Sequence, residues 1–501
     1  MKIILISPYP NIQAFGIRTL SAILKKEHHS VEILFLLHDF TDRYEETTLN
    51  QVLALSKGAD LIGITLMTNF FDNAVQITEK LKSLHIPILW GGVHPTIRPA
   101  ECLEHADMIC IGEGEKAMLE LVTKMQAGQA YHDVRGMWFK NQDTIVKNNM
   151  RPLIEDLDSI AFPDYEYQTH YVLEGQDVRK MDQDLFYKYV EGLYMTIPTR
   201  GCPFGCSYCC NNSLNHMYPS QKLPRKRSVD SLIAEITQVK TRLPGIRMIK
   251  FDDDAFFVYS LAEIKEFCDI YKQTIGLPLI VTGVTPSTLT REKLALLVDA
   301  GLVFIRMGVQ TASARSQKLY QRHTSNQQDE KAARILNMFK DRIGAPQYDI
   351  ILDNPWETDQ DSTETLMFLS KLPVPFVLCL YSLTFYPETD LYRKAREDGF
   401  ITDDLTDVYR KHYHPCKKTY LNDLFILLDD YAKKGRQLSP QVMSLLTNQT
   451  LRRLKVTMLI YTFMRLDLIA RKHGRKSVSR EIMRYVQKWD WTRLKSYIKD
   501  S

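Results

Sequence analysis

One pattern, met twice, constrains this chain most: near-continuous apolar runs alternating with amphipathic stretches. The first series is KIILIS (2–7), VEILFLL (31–37), ADLIGITLM (59–67), IPILW (86–90) and ADMICIG (106–112). Helix patterns lie between, over 16–27, where Ile17, Leu20, Ile23 and Leu24 share a face, and over 70–84. A strand apolar throughout is covered on both faces, so these runs predict a parallel sheet between helical layers. That is a doubly wound, Rossmann-like domain, whose ligand belongs at the carboxyl ends of the strands. RGMWFKNQDTIVKN (135–148) predicts a closing hairpin.

The second series comprises LYMTIPT (193–199), IRMIKF (246–251), LPLIVTG (277–283), LVFIRMGV (302–309), PQYDIIL (346–352) and PFVLCLYSLTF (375–385). A helix over 228–242 starts with Ser228 as N-cap. Six β/α units fall short of the eight that close a TIM barrel, so an open partial (β/α)6 barrel is expected. The predicted organisation is α/β: the doubly wound domain over 1–150, a linker or lid over 151–190, the barrel over 191–400 and a helical region over 401–501.

Composition sets the compartment. Of 501 residues, 45% are hydrophobic and 25% charged, as in a soluble globular protein. No run approaches the roughly 18 apolar residues of a membrane span, and MKIILISPYP reads as a buried first strand, not a signal peptide. Nine cysteines, an odd number and scattered except for one cluster, predict reduced thiols and a cytoplasmic location. Net charge is +4, yet residues 451–501 carry 14 Lys/Arg against 4 Asp/Glu. A helical tail with a solvated basic face is the first reading; a surface for anionic lipid, nucleic acid or an acidic partner is the second. No nucleic-acid partner is expected. Leu454–Ala470, apolar on nearly every side, predicts a helix buried against the barrel mouth or flank.

The chemistry lies in TRGCPFGCSYCC, directly after the strand at 193–199. Cys202, Cys206 and Cys209, spaced C-x3-C-x2-C, can wrap one corner of a cube, and soft thiolates suit an iron–sulfur cluster. Three ligands for four irons leave one iron open to a small molecule. Structural zinc would want a fourth ligand, typically from a second C-x2-C pair, and none exists. Cys210 reads as packing. His412, His414 and Cys416 have no partner motif and read as a loop, and Cys102 and Cys110 as ordinary thiols.

These residues resemble the radical S-adenosylmethionine (SAM) superfamily, specifically its subclass with an N-terminal cobalamin-binding domain. The resemblance covers about residues 1–400. It implies a 4Fe–4S cluster on the three cysteines and SAM on the open iron. Tyr208 then lies near adenine, and two of the three aspartates of KFDDDAFF, matched as Asp253 and Asp254, meet the SAM amino group. RMGVQT (306–311) resembles the strand whose polar residue, Gln310, faces SAM. YDIILDNPWET (348–358) resembles the adenine-contacting strand and contributes Asn354, with Asp353 and Asn354 where glycine is more usual. FYPETDLY (385–392) resembles the PGT segment, with Glu388 replacing glycine. Thr65 in LIGITLMT, Gly91 and Gly92 in WGGVHPT, and Gly112 in IGEGE match corrin-lining positions. A rival for this domain is a flavodoxin-like fold with another ligand.

Many relatives supply a lower axial histidine from D-x-H-x-x-G after the first strand; here the loop reads SPYPNIQAFG (7–16). His28 and His29 read as surface residues, and His94 as ordering its own loop. Base-off cobalamin without a protein ligand follows. The resemblance implies hydrogen abstraction from an unactivated carbon by a 5′-deoxyadenosyl radical, then methyl transfer from methylcobalamin to a small-molecule or lipid-like substrate, with an external low-potential electron donor. Two rivals are a cyclase or rearrangement enzyme of the same architecture and a non-catalytic cobalamin or redox sensor.

Overall fold

A computed structural model describes residues 1–141 and 144–473, with side chains to residue 468. The first nine strands are β1 (Lys2–Ser7), β2 (Ser30–Phe35), β3 (Leu61–Thr65), β4 (Ile88–Gly91), β5 (Met108–Cys110), β6 (Met137–Asn141), β7 (Thr144–Lys147), β8 (His170–Glu174) and β9 (Asp177–Lys180). They form one sheet in the order β7-β6-β5-β4-β3-β1-β2-β8-β9. β1 pairs parallel with both β2 and β3, and the order reverses beside it, which is where such sheets bind ligands. Alternate residues of β1 enter different cores, Ile3 and Leu5 one layer and Ile4 and Ile6 the other. The expected two-sided burial is thus met.

The segment 151–190, expected as a linker or lid, contributes more than a connection. β8 pairs parallel with β2, and β9 returns antiparallel, so this segment extends the first sheet. Its alternation, HYVLE then DVRK, is too short to stand out without a neighbouring strand to pair with. The preceding stretch docks through buried polar groups. Asp164 pairs with Lys25 at 2.7 Å and accepts from Ser21 Oγ at 2.6 Å. The Arg18 guanidinium, fully buried, stacks on Tyr165 and donates to Ile12 O.

The second sheet contains β10 (Leu193–Thr196), β13 (Met248–Phe251), β14 (Leu279–Val284), β15 (Leu302–Gln310), β16 (Gln347–Leu352) and β17 (Val377–Ser382), all parallel and in that order. A small ribbon of β11 (Thr199–Arg200) and β12 (Arg225–Lys226) brackets the cysteine loop. One face of each strand, including Ile249, Val281, Ile305 and Ile350, packs under the helices. The other face, including Lys250, Arg306 and Asp349, is only partly covered. This is the open six-stranded barrel expected, and Ser228 caps its helix by accepting from Ser231 N.

No strand follows Ser382 among the described residues. The helix Tyr420–Ala432 packs on the barrel flank, where Asp429 accepts from Leu378 N at 2.8 Å. The burial expected for Leu454–Ala470 is not found. Leu454, Leu459 and Phe463 are 67, 66 and 74% exposed, and the helix Val456–His473 rests on its neighbours through Tyr461 and Leu468. The barrel mouth is reached instead by the loop 411–418, whose Tyr413 O accepts from Ser382 N and whose Lys417 N donates to Asp353. Most of the basic tail lies outside the described residues. No helix among them is long and apolar enough to cross a membrane.

Burial holds His170 neutral, its pKa lowered to about 4, beside Asp164 at 3.4 Å. A folded-state value below the unfolded one means the unfolded chain binds the proton first, so this contribution is intact above the unfolded value and lost as pH falls toward 4. The loss amounts to about 3 kcal/mol. Thermal unfolding followed from pH 7 to 4 should show a falling midpoint, and His170→Gln should flatten that fall.

Candidate active site

The cysteine loop is held from all sides. Asp253, at the end of β13, accepts from Thr199 N (2.6 Å), Thr199 Oγ1 (2.8 Å) and Ala255 N (2.7 Å). Its carboxyl is buried, and burial pushes it up to about 7 against the pull of those donors. Gly283 is obligatory beside it, because a Cβ there would stand 1.8 Å from Asp253 O. On the other flank Ser207 N donates to Tyr320 O and Leu391 N to Ser207 O, so FYPETDLY clamps the loop.

Within that frame Cys202, Cys206 and Cys209 are partly buried and mutually close: Cys206 and Cys209 raise the pKa of Cys202, and Cys209 that of Cys206. Burial pushes Cys202 up to about 12 and Cys206 also upward, with Arg322 opposing at Cys206. Cys209 runs lower because the Cys210 thiol hydrogen-bonds to it. Cys210 thus supports Cys209 besides packing. Among the described residues no three His, Cys, Asp or Glu side chains converge as they would around one ion. His412, His414 and Cys416 belong to the loop over the mouth.

The acidic triplet divides its work. Asp253 has both oxygens hydrogen-bonded to the loop and positions the cysteines. Asp254 is exposed, accepts from Asn211 Nδ2 at 3.0 Å and bears on Cys202 and Cys209. It is the carboxylate next to the cluster position. Asp252 turns to the inner barrel face, pairing with Lys250 at 2.8 Å.

The expected SAM contacts gather nearby. Gln310 sits at φ +70°, and its amide folds back over Gly308, where a Cβ would stand 2.8 Å from Nε2. Tyr208 lies edge-on to Tyr320 at 5.1 Å. Asn354 caps Trp356 N through Oδ1 (3.0 Å), which leaves Nδ2 buried without a partner. Tyr320 OH and Arg322 Nε are likewise buried and unpaired. Tyr320 and Asn354 face each other and Arg322 faces Cys206, so these buried polar groups form one cluster beside the cysteines that fits a polar ligand, since a buried polar atom left unmet costs about 1–3 kcal/mol. Arg322 escaped the sequence reading because a lone arginine after a helix has no spacing signature. Its Nη1 stands 3.5 Å from Tyr208 OH, and Nη2 donates to Gly308 O.

Asp353 and Glu388, found where glycine is more usual, occupy φ +61° and +62°, a conformation that favours glycine. Each acid is held by outside partners. Asp353 accepts from Lys417 N and Asn422 Nδ2, and Glu388 faces Arg98 at 3.3 Å.

In the first domain Thr65, Gly91, Gly92 and Gly112 line one cavity of about 190 Å³, together with Gly63 and Gly114. A Cβ on Gly92 would stand 2.7 Å from Leu66 O, so the backbone there is open because no side chain fits. The walls are apolar, and the mouth carries Glu113, Glu115 and Arg200. A glycine-lined apolar slot with a polar rim suits a bulky cofactor with a flat, apolar portion. His94 is buried, and burial lowers its pKa to about 3; its Nδ1 meets Thr68 Oγ1 and it orders its loop as expected. With Gly16 taken as the last residue of D-x-H-x-x-G, the histidine position falls on Gln13. Its Oε1 accepts from Tyr165 OH at 2.9 Å, so its amide is engaged with the connecting segment.

The two sites meet directly. Arg200, two residues before Cys202, pairs with Glu113 at 3.0 Å and Glu115 at 2.6 Å, and Arg225 adds a second cation at Glu113. Burial would raise the Glu113 carboxyl, but Arg225 and Arg200 hold it below its ordinary range. Tyr218, closing the helix after the cysteines, presses on Gly112, where a Cβ would stand 2.2 Å from its hydroxyl. The carboxyl edges of both sheets therefore face each other. In IGEGE the glycine carries a pattern legible in sequence, whereas Glu113 and Glu115 acquire a role only once Arg200 and Arg225 are seen to meet them.

Anaerobically reconstituted protein should hold about four irons at this loop, and Cys206→Ala should lose most of them, since two thiolates do not retain a cube. Iron analysis with absorption spectra checks this; retained iron would refute the assignment.

Comparison with known proteins agrees with this architecture. The family model described as "B12 binding domain" matches residues 1–122, and that described as "Radical SAM superfamily" matches 196–369. An uncharacterized methyltransferase of Pyrococcus horikoshii is 26% identical over 400 residues, covering 78% of this chain and 80% of that protein. The anaerobic magnesium-protoporphyrin IX monomethyl ester cyclase of Rubrivivax gelatinosus is 27% identical over 61% of this chain, which spans about half (53%) of that protein. Two solved structures share the fold. They are the radical SAM methyltransferase TsrM of Kitasatospora setae (TM-score 0.61, 20% identity, 79% of this chain and 76% of that one) and the cobalamin-dependent SAM radical enzyme OxsB (0.65, 16%, 97% and 75%). The chain thus carries a B12-binding domain over 1–122 followed by a radical SAM domain over 196–369, with 4Fe–4S cluster, SAM and cobalamin as the cofactors of that architecture.

Proposed function

We propose that this chain is a cobalamin-dependent radical SAM C-methyltransferase acting on an unactivated carbon of a small-molecule substrate. The observation that carries the reading is the contact between the two sites, Arg200 on Glu113 and Glu115 with Tyr218 on Gly112. Transfer between two cofactors requires their reactive faces to share one opening. When bound, the cluster and SAM supply a 5′-deoxyadenosyl radical and cobalamin carries the methyl group. Relatives named as methyltransferases, one of them the bacteriochlorophyllide d C-8(2)-methyltransferase of Chlorobaculum tepidum at 22% identity, support methyl transfer.

The chain's residues take distinct parts. Cys202, Cys206 and Cys209 provide the thiolates, and Asp253 keeps their loop in register through Thr199. Arg322, Asn354, Gln310, Tyr208 and Asp254 bind SAM by hydrogen bonds and charge. Thr65, Gly91, Gly92 and Gly112 receive cobalamin, with Glu113 and Glu115 at the rim. The loop 411–418 shields the opening from water. An external low-potential donor supplies the electron. A second reading, cyclisation without methyl transfer, is favoured by the similarity to the Rubrivivax cyclase.

SAM bearing a deuterated methyl group separates the two. Methylation should add three deuteriums to the product alongside 5′-deoxyadenosine, whereas unlabelled product would favour cyclisation. Gln13, tied to Tyr165, replaces the lower histidine, so cobalamin in its Co(II) state should give an electron paramagnetic resonance spectrum without nitrogen splitting from a lower ligand. Such splitting would refute the base-off reading, and no cobalamin uptake would refute the domain's role.

Arg200→Gln should leave Glu115 without its cation at the slot mouth, while Glu113 keeps Arg225, at a cost of about 2–3 kcal/mol because the ion pair keeps some water. Cobalamin titration should show affinity weakened well over tenfold.

A further inference from the structure

The inner face of the barrel carries an ion pair that neither the cluster nor its cofactors require. Arg306 lies on β15 on the same face as Gly308, four residues before Gln310; the strand bulges between Gly308 and Gln310, whose amide folds back over Gly308. Its Nε donates to Asp349 Oδ1 on β16 at 2.6 Å, and Nη2 donates to Tyr381 OH on β17 at 2.5 Å. Tyr381 in turn stands against His414 of the mouth loop, ring centres 4.9 Å apart. The side chains of Arg306 and Asp349 retain 32 and 17% of their exposure, so the pair is reachable by solvent.

Each partner keeps a free valence. Among the described residues Arg306 Nη1 donates to nothing and Asp349 Oδ2 accepts nothing. A planar guanidinium with an open edge receives a carboxylate, and a carboxylate with a free oxygen receives an ammonium. The pair is neutral as a whole, so a net anion would meet Asp349 and a net cation would meet Arg306. A hydrocarbon end would strip water from both and return nothing. The matching ligand is neutral overall with adjacent positive and negative groups.

Resting on the radical SAM reading above, we propose that Arg306, Asp349 and Tyr381 bind the α-amino-acid head group of the substrate. The carboxylate sits on Arg306 and Tyr381 and the ammonium on Asp349, and the side chain points up the barrel toward Gln310 and the cysteines. The substrate class is then an amino acid whose side chain extends far enough to place its reacting carbon near the cluster.

The test uses reconstituted protein with SAM at saturation, so that the methionine portion of SAM already fills its own site. The twenty common L-amino acids are screened at millimolar concentration by saturation-transfer NMR. The best binder is compared with its deaminated and decarboxylated analogues. The zwitterion should bind about tenfold tighter than either analogue. Arg306→Gln and Asp349→Asn should each weaken it by a similar factor, with Arg306→Lys intermediate. No saturable binding, equal binding of an analogue, or undiminished binding by both variants would overturn the proposal. SAM cleavage by the unaltered protein under dithionite is measured alongside. Cleavage without amino-acid binding removes this inference alone, and binding without cleavage removes the radical SAM reading alone.

Discussion

The arrangement depends on Arg200. The residue belongs to the short ribbon that opens the cysteine loop, yet its guanidinium is spent on Glu113 and Glu115 at the rim of the first domain's slot. The two sheets share apolar packing, as where Tyr165 meets Tyr194 of the barrel, but apolar contact is non-directional and does not by itself fix which edges face each other. A pair of glutamates carried out of water needs cations, and of the two that meet them, Arg200 and Arg225, the one that reaches both is two residues from the first cysteine. Desolvation makes the juxtaposition specific: any other packing would leave like charges at the rim unmatched. Arg98 repeats the device at the opposite side, bridging Glu388 and Asp404.

Backbone strain adds to the same economy. Asp353 and Glu388 hold a left-handed conformation that costs a residue with a Cβ roughly 1–2 kcal/mol. Glycine would relieve that cost and forfeit a tether. Asp353 fastens the loop over the mouth, and Glu388 fastens the barrel to the first domain. The departures from the family pattern at Asp353 and Glu388 thus carry contacts between parts of the chain.

Much of this was legible in the sequence because apolar runs report burial on both faces. Eleven of the strands were visible as such runs, from KIILIS to PFVLCLYSLTF. The cysteine spacing and the glycine pairs were visible for the same reason: each states a local geometric need. Three features were not. The β8–β9 hairpin is too short to show periodicity without the edge of β2 to receive it. Asp253 and Asp254 are chemically alike in sequence, and their roles separate only when Thr199 claims one of them. The helix at 456–473 has enough apolar residues to be read as buried, but pattern alone does not say how many of its sides find a partner.

The contact of Tyr218 with Gly112 bears on how such a chain could be rebuilt. Tyr218 ends the helix that begins at Cys210, so its hydroxyl reports the position of the cysteine loop to the rim of the slot. A first domain borrowed from another protein could fold perfectly well ahead of this barrel and still seat wrongly. Unless it brought a residue without a Cβ opposite that hydroxyl, the helix would be pushed back, and the cysteine loop with it. The two halves are therefore not interchangeable modules on a string: they are cut to fit at one atom.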